Sequence, residues 1–207
     1  MALKGSGSDV TSSFITAAAA DPNGISTAAT IGSATNLTIN GALADGGSVT
    51  MDSPRNVTIL SAADDSGITF TVTGTDESNV AQTEVITGAD STTATGSSFF
   101  KTVTQIATSA ASAGNVSAGS GTSCSGVISA ARCRLRGIYV VNGSSAATIV
   151  FREGSGTGTV RMKFATVAGV TTTSYPDVPS DGLLFKAGGF VTFTAVTDLT
   201  AMTTFFS

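Results

Sequence analysis

The run Ile68-Thr69-Phe70-Thr71-Val72-Thr73 alternates apolar and hydroxyl side chains without a break, and that period of two constrains the fold more than any other feature. Successive side chains of an extended chain point to opposite faces. Ile68, Phe70 and Val72 therefore share one face and three threonines the other, which predicts a half-buried antiparallel strand. The same period recurs at Leu37 and Ile39, Val49 and Met51, and Val57 and Ile59; Thr83 to Thr87 reads as a further strand, and Phe99, or Phe100 with Val103 and Ile106, begins another. Asp64-Asp65-Ser66-Gly67 and Gly74 to Asn79 supply turns between such runs. No segment sustains a helical period, and heptads and Gly-X-Y triplets are absent, which excludes a coiled or collagen-like shaft. The 34 Thr and 27 Ser against only 12% charged residues place hydroxyls where most soluble chains carry charge. Threonine is β-branched and suits a pleated face, so composition and periodicity agree.

The expected fold class is all-β: two small antiparallel β-sandwich domains with an extended N-terminal arm. Residues 1–35 are small and loosely patterned around Asp21-Pro22-Asn23-Gly24 and form the arm, expected to reach a neighbour or to pack on its own domain. Residues 36–109 form the first sandwich. Residues 110–126 are mostly Ala, Ser and Gly and read as a linker. Residues 127–207 form the second sandwich, with strands at Arg132 to Arg136, Ile138 to Val141, Thr148 to Phe151, Val160 to Phe164, Leu183 to Phe185, Phe190 to Phe193 and Met202 to Phe206.

The residue inventory argues against catalysis. Histidine is missing, which removes the commonest general base and metal ligand, so no catalytic, cofactor or metal site is expected. Asp64-Asp65, Asp76-Glu77 and Asp177 with Asp181 sit where turn residues are needed, and turn chemistry accounts for them. Gly154 to Thr159 looks like a phosphate loop, but a strand follows where a helix would be required, so it is read as a flexible hairpin loop. Cys124 and Cys133 are expected as free thiols. The start shows no secretory signal and no run suits a membrane span, which leads to the expectation of cytoplasmic synthesis and no membrane partner.

Association is what remains. A weakly charged surface suits a protein packed beside other subunits. Up to residue 127 the chain holds 3 basic and 10 acidic residues, and beyond it 7 basic and 4 acidic, formal charges of −7 and +3. Such halves can dock on one another or on a charged partner. Arg132, Arg134 and Arg136 alternate on one strand and are the candidate interface residues, facing acidic side chains of a neighbour. Without interleaved aromatics, and in a net negative chain, they do not suggest nucleic-acid binding. Met202, Phe205 and Phe206 are expected in the core of the last strand, although an exposed pair of phenylalanines would mark an interface.

Two stretches carry a resemblance. Ser53-Pro54-Arg55-Asn56-Val57-Thr58-Ile59 leads through Asp64 to Asp76, Gln82-Thr83-Glu84 and Phe100-Lys101-Thr102-Val103. Gly137-Ile138-Tyr139-Val140-Val141-Asn142-Gly143 is followed by Pro179-Ser180-Asp181-Gly182-Leu183-Leu184-Phe185 and a Thr- and Phe-rich final strand. Together they resemble virion structural proteins of tailed bacteriophages, particularly marine and cyanobacterial ones. The resemblance implies a place in the particle: a head decoration (cement) protein, or a tail, neck or fibre component. Decoration is preferred because the chain is short and lacks a shaft or repeat array. The partners implied are the major capsid protein or other virion subunits, with a homo-oligomer, a trimer by guess, multiplying the contact. The other reading is a surface module that binds a host receptor or glycan, for which Tyr139 and Tyr175 are the only tyrosines and Trp is missing.

Overall fold

The computed structural model describes residues 10–15, 19–143, 145–167, 173–174, 177–194 and 199–207. Among them the chain is all-β, and every strand pairing is antiparallel. The strands of the first half are β1 (Thr11–Ile15), β2 (Asp21–Thr30), β3 (Ala44–Asp45), β4 (Ser48–Ser61), β5 (Thr69–Thr75), β6 (Ala81–Thr87), β7 (Thr93–Thr95) and β8 (Phe100–Thr108). Then come β9 (Asn115–Ser129), β10 (Cys133–Asn142), β11 (Thr148–Glu153), β12 (Thr159–Ala165), β13 (Thr173–Ser174), β14 (Leu183–Phe185), β15 (Gly189–Thr194) and β16 (Leu199–Phe206).

The alternating run behaves as its pattern requires. Phe70 and Val72 on β5 are fully buried, while Thr71 and Thr73 stay half-exposed on the other face. Gly74 sits at the register shift between β5 and β8, where a β-carbon would strike the Thr102 carbonyl, so only glycine permits the approach.

The strands form two sheets. One has five strands in the order β1-β16-β10-β13, with β14 also on β10. The other has eleven, running β12-β11-β15-β9-β4-β8-β5-β6, with β2 on β9 and β3 and β7 on β4. Two hydrophobic cores result. Ile25, Met51, Val57, Ile59, Phe70, Phe100 and Ile106 belong to the first. Ile15, Cys124, Leu135, Ile149, Phe151, Phe185, Phe193 and Met202 belong to the second, drawing on both sheets.

The expected linker is not one. Residues 115–129 form β9, which pairs through Val116–Ser120 with β4 and through Cys124–Ser129 with β15, so one continuous sheet serves both cores. Its Gly, Ser and Ala content reflects crowding. A β-carbon on Gly119 would strike the main chain of Asp21 and Pro22, one on Gly121 would lie 2.6 Å from the Asn56 amide, and one on Gly126 would strike the Ile15 side chain. Small residues let neighbours approach closely from both sides, and solvent has no part in it.

The arm is likewise part of the fold where it is described. β1 pairs with β16, from Thr11 with Phe206 to Ile15 with Met202, and β2 lies along β9. Ile15, Ile25 and Ile31 are buried in the two cores, so these segments pack on their own chain. Residues 1–9 and 16–18 of the arm lie outside the described residues.

β4 is interrupted midway. Along one edge it pairs with β8 at Val49 and Thr50 and, past a register shift, at Arg55; along the other it pairs with β9 from Arg55 onward, and Pro54, which has no N–H to donate, stands in the shift.

Candidate interaction surface

The register of β1, β16 and β10 decides which side chains share a face. Residues directly opposite in an antiparallel pair project to the same side. Phe14 faces Thr203, Ser12 faces Phe205, Gly137 faces Phe205 and Tyr139 faces Thr203. The alternate residues Ile138, Val140, Met202 and Ile15 go inward to the second core. The outward face therefore collects Ser12, Phe14, Gly137, Tyr139, Val141, Thr203 and Phe205, with no charged side chain among them. Phe14 is 64% exposed and Phe205 39% exposed, the latter lying over Gly137, which has no side chain to hold it off. The expectation that the last strand's apolar side chains are core holds for Met202, which is fully buried, and for Phe206, which packs against the second core; Phe205 points the other way. Parity explains it: Met202, Thr204 and Phe206 alternate with Thr203 and Phe205.

The three arginines border this face at one end. Arg132 is exposed in the turn before β10, Arg134 is half-buried and Arg136 is exposed. The guanidinium of Arg134 donates to the carbonyl of Asp181 at 3.0 Å, and Arg136 donates from Nε to Ser207 Oγ at 3.0 Å and from Nη1 to the Ser180 carbonyl at 3.5 Å. Two of the three thus brace the turn Pro179-Ser180-Asp181-Gly182 against β10. Gly182 closes that turn at φ 74°, a conformation that favours glycine, with its N–H on the Pro179 carbonyl at 2.7 Å. A register shift between Leu135 and Gly137 interrupts the strict alternation.

The acidic clusters resolve differently from one another. Asp64 Oδ1 accepts from the N–H and hydroxyl of Ser66, bonds that hold its carboxyl below the ordinary range, and Asp76 Oδ1 accepts from the N–H groups of Ser78 and Val80 at 2.8 Å. These are the turn roles expected of them. Asp65 is buried and accepts from Ala113 N–H at 2.8 Å, tying the β4–β5 turn to the start of β9. Glu77 does something the sequence did not disclose. Its carboxylate crosses from the β5–β6 turn to accept the N–H of Gly156 in the β11–β12 hairpin. Burial pushes the Glu77 carboxyl up, opposed by that hydrogen bond. The glycine-rich loop is the hairpin expected, and it is anchored: Gly158 N–H bonds to Ser155 O, and Arg152 donates to Gly158 O, each at 3.0 Å.

Among the described residues no group of three or more Cys, Asp and Glu side chains could hold a metal ion. No helix among them is long and apolar enough to cross a membrane. Cys124 and Cys133 are both free and buried. Tyr175 lies outside the described residues. Comparison of the chain with protein-family profiles, with curated proteins and with solved structures returns no match.

Proposed function

We propose that this chain is a virion structural protein of the head-decoration (cement) type, acting by contact and not by catalysis. The observation that carries the reading is the outward face of the five-stranded sheet, where Phe14 and Phe205 stand exposed and no charged side chain interrupts them. An uncharged aromatic patch on a sheet face is costly to leave in water and favours burial against a partner. The resemblance to tailed-phage proteins names that partner as a neighbouring virion subunit, the major capsid protein first. Arg132 at the rim, and Arg136 beside it, offer charge for steering and register. A trimer on a three-fold position would repeat the contact three times.

Deleting residues 1–35 is not a usable test, because Ile15, Ile25 and Ile31 are core. The double variant Phe14→Ser/Phe205→Ser is better. The two exposed fractions together amount to about one phenylalanine side chain, worth about 1.5–3 kcal/mol when buried, or about 10- to 150-fold in affinity per contact. Purified protein added to phage heads lacking it should bind, and the double variant should bind weakly while its unfolding midpoint is unchanged. Equal occupancy of heads by both forms would refute the assignment of the face. Binding of the isolated protein to host cells, and not to heads, would replace decoration with the receptor or glycan reading.

A further inference from the structure

At the irregularity in the β4–β8 pairing between Thr50 and Arg55 lies a cavity of about 510 Å³ bounded by Leu43, Met51, Asp52, Arg55, Lys101 and Ser120. Its charges do not balance. Arg55 is 2% exposed; one guanidinium nitrogen donates to the Ala19 carbonyl at 2.9 Å and the other reaches the Asp52 carboxylate at 3.2 Å. The Nε–H of Arg55 meets no acceptor. Lys101 extends from β8 and donates to the carbonyls of Met51 and Asp52, and no carboxylate among the described residues pairs with it. Two cations thus share one carboxylate, which Arg55 already engages. A buried guanidinium with an unmade hydrogen bond is expensive, and folded chains retain such a group mainly where something completes it.

We propose that this cavity binds a carboxylate carried on a short aliphatic stem. The head group would complete the donor set of Arg55 and Lys101 through charge-assisted hydrogen bonds, and the stem would lie against Met51 and the partly exposed Leu43. Two sources share that chemistry: a free short-chain carboxylate, and the side chain of a glutamate presented by a neighbouring subunit. The site is built mainly on β4 and β8 and shares no lining residue with the outward face of the five-stranded sheet, so it stands whether or not that face is an interface.

The test uses the full chain labelled with nitrogen-15, following the Nε–H resonance of Arg55 during titration. The probes are sodium butyrate and the capped peptide acetyl-Gly-Glu-Gly-amide, each matched for ionic strength against sodium chloride. At up to roughly 100 mM even millimolar binding saturates. A saturable shift with either probe and none with chloride is the expected result; butyrate alone indicates a free ligand, and the peptide alone indicates a partner's side chain. Lys101→Met should raise the half-saturating concentration about tenfold, and Lys101→Arg should largely restore it. Lys101 is half-exposed, so these variants should keep the fold, as unchanged spectra elsewhere would show. No probe-specific shift, or a shift indifferent to Lys101→Met, would overturn the proposal.

Discussion

Replacing Gly119 with alanine distinguishes a connector from a core strand, because the two predict opposite signs. In an unpacked connector the change restricts the unfolded chain and stabilises by about 0.4–1 kcal/mol. On β9 the new methyl group lands on the main chain of Asp21 and Pro22, and backbone cannot rotate aside as a side chain can. β2 must lift away, and overpacking of this kind costs about 1–3 kcal/mol. If the lift also uncovers part of Ile25, which is fully buried, the loss grows toward ~4 kcal/mol, given about 1.5–3 kcal/mol for a whole aliphatic side chain. With a urea slope of about 2–3 kcal/mol/M, the midpoint should fall by about 0.3–2 M at unchanged slope. Equilibrium unfolding followed by far-ultraviolet circular dichroism measures it. Gly32→Ala is the control, since a β-carbon there meets no heavy atom within 4 Å, and its midpoint should hold or rise slightly. A midpoint for Gly119→Ala at or above that of the parent chain would refute the packing of β2 on β9.

Both thiols should resist modification in the folded protein: burial pushes the Cys124 thiol up to about 12, outweighing the nearby Arg55 charge, and burial raises Cys133 as well. A thiol reagent at pH 8 should label neither cysteine quickly in buffer and both in denaturant; prompt labelling of Cys124 in buffer would contradict its burial. Glu77 should make stability pH-dependent in a definite direction. Its folded carboxyl titrates above the unfolded one, chiefly through burial and with Asp76 adding in the same sense, so its contribution is fully present below the ordinary carboxylate range and is lost as pH rises through the folded value. Glu77→Gln keeps an acceptor for Gly156 N–H and removes the charge, so urea midpoints from acid to neutral pH should fall less steeply for the variant. Parallel profiles would show that Glu77 ionises freely.

The strands were legible wherever apolar residues alternate with larger polar ones. Thr69 to Thr73, Thr83 to Thr87 and Ile138 to Val141 all fall in strands, because one buried face leaves a period of two. β9 was not legible. A strand buried on both faces shows no alternation, and one crowded by backbone uses Gly, Ser and Ala, the same residues that make linkers. The arm hid for a related reason, since Ile15 and Ile25 are single apolar anchors in strands that ride on others. Arg134 and Arg136 were correctly placed on a strand, but their partners are carbonyls and a hydroxyl some forty or more residues away, which local spacing cannot reveal. Phe14 and Glu77 were missed because their meaning comes from register across the sheet and from a contact between distant hairpins.

The pairing of β1 with β16 has a bearing on how the protein is made. Thr11 has its strand partner at Phe206, so β1 emerges from the ribosome long before the strand it pairs with. The first core can close once β9 has been synthesised, whereas the second draws on β10, β11, β15 and β16 as well. Synthesis therefore leaves a half-finished intermediate: a closed first core whose β9 continues outward with an unpaired edge. Such edges recruit other chains, and pairings so distant in sequence form slowly. The shared strand that unites the two cores thus also sets the interval during which the nascent protein is most exposed to aggregation.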